Sequence, residues 1–113
     1  MSDAKRPNVV LITVDQWRGD TLGVAGHPCI STPGLDILAR HGHYFPQAVS
    51  TAPSCVAARR SLFSGKWPYH HGMVGFNDRV RWDEPQTPCQ AFHTAGYRTY
   101  CVGKRHLFPQ NTR

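Results

Sequence analysis

The chain has 113 residues, and its 13 Lys and Arg against 7 Asp and Glu leave a formal charge of +6 with the histidines neutral. Hydrophobic residues make up 40% and aromatics 11%, which supports one modest core and excludes an intrinsically disordered chain. The basic residues are spread along the sequence instead of forming a stripe, which disfavours a nucleic-acid-binding domain and suits an anionic small substrate. No apolar run approaches the roughly 20 residues of a membrane-spanning helix. The N-terminal apolar stretch is too short for a signal-peptide core, so a cytoplasmic protein without membrane contact is expected.

Asn8-Val-Val-Leu-Ile-Thr-Val14 is β-branched and almost continuously apolar, the pattern of a central strand buried on both faces. It ends at Asp15-Gln16, at the carboxyl end of the expected strand, where open α/β sheets collect ligands. Residues 18–33 are rich in Gly and Pro and read as loop. Thr32-Pro33 then predicts an N-cap and a first helical position, with Leu35, Leu38 and Ala39 at helical spacing and a stop near Gly42. Tyr44 to Val49 fits a short edge strand or an extended connection. Val56 to Phe63 is expected to be helical, with Gly65 as its stop and Cys55 at or just before its start. Residues 66–85 read as loop. Thr87-Pro88 repeats the cap-then-proline signal for a helix running to Gly96, and Tyr97 to Val102 reads as a second strand ending at Gly103-Lys104-Arg105-His106. Strand, helix, helix, helix, strand predicts an α/β layered fold with a mostly parallel sheet, incomplete within this chain.

Three polar clusters fall at element ends: Asp15-Gln16, Cys55 with Arg59, and Lys104 with His106. Cys55 and Arg59 are four residues apart and share a helix face. The helix start adds free N–H groups that favour an anion. The four cysteines (Cys29, Cys55, Cys89, Cys101) show no CxxC pair and no zinc spacing, so each reads first as a small buried hydrophobe. Adjacent His70 and His71 point apart in most conformations, which disfavours a shared metal. Arg60 is expected to face solvent or an acidic neighbour, and Asp20 to have a structural role.

Cys55-Val-Ala-Ala-Arg59-Arg-Ser-Leu62-Phe-Ser64-Gly65 resembles the signature of the sulfatase family, Cys-x-Pro-Ser-Arg-x-x-Leu-x-Thr-Gly. Ala57 and Ala58 replace the usual proline and serine, and Ser64 the threonine. Gly96-Tyr-Arg-Thr99-Tyr-Cys-Val-Gly103-Lys104-Arg105-His106 is similar to a second family signature, with Arg105 where an aromatic is common. Asn8 to Gly23 resembles the first metal-binding segment, with Asp15-Gln16 where two aspartates are common. Thr32 to Ala39 resembles the first helix of the family. The four segments occur in the family's order.

The resemblance implies an alkaline phosphatase-like fold and a sulfuric ester hydrolase acting on a small-molecule or saccharide sulfate monoester. It implies that a formylglycine-generating maturation enzyme oxidises Cys55 to formylglycine. One hydroxyl of the hydrated aldehyde attacks sulfur, and the other then collapses the adduct to release sulfate. It implies a divalent metal, usually Ca²⁺, held by Asp15, by Gln16 through its amide oxygen, and by the group formed at Cys55. Arg59 then steadies the formylglycine, Lys104 meets a sulfate oxygen, and His106 is a hydrogen-bond partner of nucleophile or substrate. The remaining family residues have no counterpart here, so residues 1–113 are expected to be an N-terminal fragment of the catalytic domain, inactive alone. The competing readings are a phosphonate monoester or phosphodiester hydrolase of the same superfamily, and a truncated non-catalytic sulfatase-like protein.

Overall fold

A computed structural model describes residues 6–77 and 80–107. The described chain contains four helices: α1 (Pro33–His41), α2 (Cys55–Ser64), α3 (Pro68–His71) and α4 (Pro88–Thr94). It divides into two compact units, residues 1–47 and 48–113. Among the described residues no helix is long and apolar enough to cross a membrane.

In the first unit, helix α1 starts at Pro33 and ends before Gly42, as the cap and spacing require. Its N-cap Thr32 makes no side-chain bond to the helix start. The Thr32 hydroxyl instead accepts the Gly23 N–H at 2.9 Å and donates to the Asp36 carboxylate at 2.9 Å. The same Asp36 oxygen accepts the Val24 N–H at 2.9 Å. Thr32 and Asp36 therefore tie the 22–27 turn to the helix. A Cβ on Gly23 would stand 2.5 Å from Asp36 Oδ2, so a side chain there would have to displace the Asp36 carboxylate.

In the second unit, α2 carries the core. Val56 and Ala57 pack with Ala52 and Met73, flanked by Cys55 and Val80. Gly65 ends the helix at φ 68°, with its N–H on the Ser61 carbonyl at 2.8 Å. Residues 66–85, expected to be loop, contain the single turn α3, started by Pro68 and stopped by Gly72 at φ 74°. Helix α4 begins as its signal predicts, with the Thr87 hydroxyl accepting the Gln90 N–H at 3.2 Å. It stops at Gly96, φ 84°, in a Schellman arrangement: the Gly96 N–H reaches the His93 carbonyl and the Tyr97 N–H reaches that of Phe92. The Phe92 and Tyr97 rings, 5.2 Å apart, supply the accompanying apolar contact.

The expected parallel sheet is absent among the described residues. Asn8 to Val14 shows no strand pairing, and Val10, Leu11 and Ile12 are 78%, 62% and 70% exposed. Tyr97 to Val102 is likewise without strand pairing. A strand is defined by its ladder; a segment with strand propensity and no neighbour alongside forms none. The cysteine expectation also fails, because Cys29, Cys89 and Cys101 are exposed and Cys55 is half-buried.

Candidate active site

Helix α2 places Cys55 at its first residue and Arg59 one turn later on the same face. Both meet the segment that follows Gly103. Cys55 Sγ lies 3.4 Å from His106 Nδ1 across 51 residues of sequence. An Arg59 guanidinium N–H donates to the Lys104 carbonyl at 2.7 Å. Four of the six residues singled out in the sequence thus converge on one patch of the second unit. Lys104 takes part there through its backbone, and its side chain is exposed. Gly103 turns the chain at φ 93°, and His106 follows at φ 48°.

Asp15 and Gln16 belong to the first unit, in a turn after the extended segment. Among the described non-glycine residues, only Gln16 (φ 59°) and His106 (φ 48°) have positive φ. Such conformations cost on the order of 1 kcal/mol each and persist only where surroundings hold them. Nearby, Asp20 pairs with Arg18 at the surface, and the bond from Arg18 holds the Asp20 carboxyl below the usual carboxylate range.

Asp15 and Gln16 offer hard oxygen donors of the kind Ca²⁺ or Mg²⁺ accepts. Among the described residues, however, no group of three or more His, Cys, Asp or Glu gathers in metal-binding geometry. Against the roughly six to eight oxygens of a calcium shell, Asp15 and Gln16 fit as a share of the donors, not as a complete site.

Arg60 is the residue that sequence reasoning misplaced. It is fully buried and solvated by backbone. Its guanidinium donates to the carbonyls of Leu107 at 3.0 Å, Val80 at 2.7 Å and Arg81 at 3.2 Å, and lies 5.5 Å from the centre of the Trp82 ring. Burial lowers its pKa while the charge of Asp83 opposes that shift. The Arg59-Arg60 doublet was the available signal: adjacent helix positions diverge by about 100°, so two arginines in a row serve two different faces. His71 is also structural. Its Nδ1 accepts the Met73 N–H at 3.2 Å, which puts the ring proton on Nε2, 3.0 Å from the Ser61 hydroxyl. His70 stacks edge-on against Tyr69. Arg105 lines an open groove of about 260 Å³ with Phe63, Thr87, Thr99 and Tyr100, among others, but not with Cys55 or His106.

Comparison with known proteins agrees with the signature residues. The sulfatase family matches residues 7–113. An arylsulfatase of Clostridium perfringens is 47% identical over 105 residues, covering 93% of this chain and 22% of that protein. An ulvan-active sulfatase of Formosa agariphila is 44% identical over 102 residues, covering 90% of this chain and 20% of that protein. The human N-acetylgalactosamine-6-sulfatase is 33% identical over 113 residues, covering 89% and 22%. The chain therefore spans about a fifth of the length of these curated relatives. No solved structure gave a significant match. With the family matching nearly the whole chain, this protein belongs to the sulfatase family, whose fold is of the α/β, alkaline phosphatase-like kind.

Proposed function

We propose that this chain carries the nucleophile segment of a sulfuric ester hydrolase that cleaves a sulfate monoester through a formylglycine made from Cys55. The observation that carries the reading is the meeting of Cys55 with His106 at 3.4 Å, beside the bond from Arg59 to the Lys104 carbonyl. Two separate family signatures are joined there at the residues whose chemistry the reaction needs.

Formylglycine at Cys55 would supply a hydrated aldehyde: one hydroxyl, losing its proton, would displace the alcohol from sulfur, and loss of the second hydroxyl's proton would reform the aldehyde and expel sulfate. His106 Nδ1 stands within hydrogen-bond reach of the group on the Cys55 Cβ, where it takes or returns a proton. Arg59 fixes the backbone at Lys104, and the Lys104 ammonium meets a sulfate oxygen as negative charge grows. Asp15 and Gln16 would hold part of the shell of a divalent cation, Ca²⁺ by donor type, which would supply Lewis acidity there. In the complete catalytic domain the extended segments 8–14 and 97–102 become strands of a mostly parallel sheet, and residues 1–113 form its N-terminal part. The exposed apolar side chains of residues 9–14 support that reading.

The test is expression beside a formylglycine-generating enzyme, with the Cys55 peptide read by mass spectrometry. The expected product is the aldehyde, trapped by a hydrazide probe. An unmodified Cys55, in cells that convert a control sulfatase, would refute the reading. In a complete enzyme, aryl sulfate should be hydrolysed faster than aryl phosphonate, and Cys55→Ala should abolish both activities.

A further inference from the structure

The second arginine of the α2 doublet has no part in the chemistry above, yet it is among the most thoroughly buried side chains described. A buried charge is tolerated only where hydrogen bonds replace its hydration. Arg60 has three such bonds, all to backbone carbonyls, and one of them belongs to Leu107, the residue after His106. On the near side of His106, Arg59 holds the carbonyl of Lys104. The stretch from 104 to 107 is therefore gripped on both flanks by consecutive residues of the helix that begins with Cys55. Between the two grips His106 sits at φ 48°, a left-handed conformation that is uncommon for a residue other than glycine. The other two carbonyls, of Val80 and Arg81, brace the guanidinium from a third segment, and Trp82 lies against it.

We propose that Arg60 is a positioning residue that holds His106 against Cys55 by fixing the Leu107 carbonyl, so that the imidazole faces the nucleophile position in a strained backbone conformation. This rests on the sulfatase reading for its consequence in catalysis, but not for its geometry. A guanidinium is suited to the task because its rigid fork serves several carbonyls in different directions, whereas an ammonium is a compact point donor.

The test reads placement directly in the full chain, without turnover. In isotope-labelled protein, a nuclear Overhauser contact between the Cys55 β protons and the His106 ring is recorded beside a control contact between the His71 ring and Ser61, which lies on the same helix. The proposal expects Arg60→Met to keep the control and to lose most of the Cys55–His106 contact. Arg60→Lys should keep the control and weaken the contact by about half or more. A residue that contributes only stability would leave the contact at full strength in any variant that retains the control, and that result overturns the proposal. Loss of the control in both variants would make Arg60 a general folding residue of this unit and would equally overturn it. Failure to find formylglycine at Cys55 would sink the sulfatase reading and leave this contact unchanged, so the two failures are distinguishable.

Discussion

Residues 8–14 and helix α2 both carry apolar side chains, yet Val10 and Ile12 are 78% and 70% exposed while Val56 and Ala57 are 3% and 0% exposed. The helix satisfies its own backbone, so its apolar face needs only nearby side chains such as Ala52 and Met73 to form a core. Its remaining requirement, acceptors for two buried or nearly buried arginines, is met by the loop carbonyls of residues 80, 81, 104 and 107. An extended segment cannot satisfy its backbone alone, and its side chains are covered only when strands lie on either side. The signature residues Cys55 and Arg59 lie on the self-sufficient element. Two of the three expected metal donors, Asp15 and Gln16, by contrast follow the segment that depends on others.

The contrast predicts unequal responses to the same kind of substitution. Met73→Ala removes a side chain only 1% exposed and should cost about 3 kcal/mol, read as a lower urea midpoint. Ile12→Ala in this chain should change that midpoint by less than about 0.5 kcal/mol equivalent. A large effect at Ile12 would mean that residues 8–14 are packed in solution and would erase the distinction.

Acid should sharpen it next. Burial holds the His71 pKa below its ordinary value, ahead of the opposing backbone bond. The folded unit thus binds this proton less readily than the unfolded chain. Its contribution is complete above the unfolded value of about 6.5 and is lost as pH falls through that value toward the lower folded one. The urea midpoint should fall on acidification, and fall less in His71→Gln; equal falls would exclude His71 as the cause.

Within the first unit, Gly23→Ala should disturb the turn locally, because its Cβ meets Asp36. Amide signals of Gly23 and Val24 should shift while those of α2 stay in place. The smallest effect is expected at Asp20→Asn, since the Arg18–Asp20 pair is fully solvated. An unchanged melting curve is the anticipated result, and a clear drop would give that pair a role its exposure does not suggest.

Much of the site was legible in the residues. Thr87-Pro88 marked the start of α4, Pro33 that of α1, and Gly65 the end of α2, because caps, prolines and left-handed glycines act within one turn. Cys55, Arg59, Lys104 and His106 stand out by motif and spacing, and the fold brings them together. Arg60 was not legible as a buried residue. A charged side chain beside another on a helix reads as solvated, and only the arrival of carbonyls from residues 80, 81 and 107 makes burial possible. Thr32 is the N-cap that the sequence implies, but its hydroxyl bonds Gly23 and Asp36 instead of the helix's free N–H groups, an outcome set by a turn folding back over nine residues of sequence.

The sequence by itself determined where helices begin and end, which cysteine heads the signature helix, and to which family the chain belongs, since these depend on short-range sterics and on side-chain identity. Tertiary structure decided which polar groups meet, which arginine is buried, and whether apolar extended segments become strands. Those outcomes depend on partners distant in sequence: a hydrogen-bond acceptor or a neighbouring strand is supplied by position in space, and no local pattern of residues specifies it.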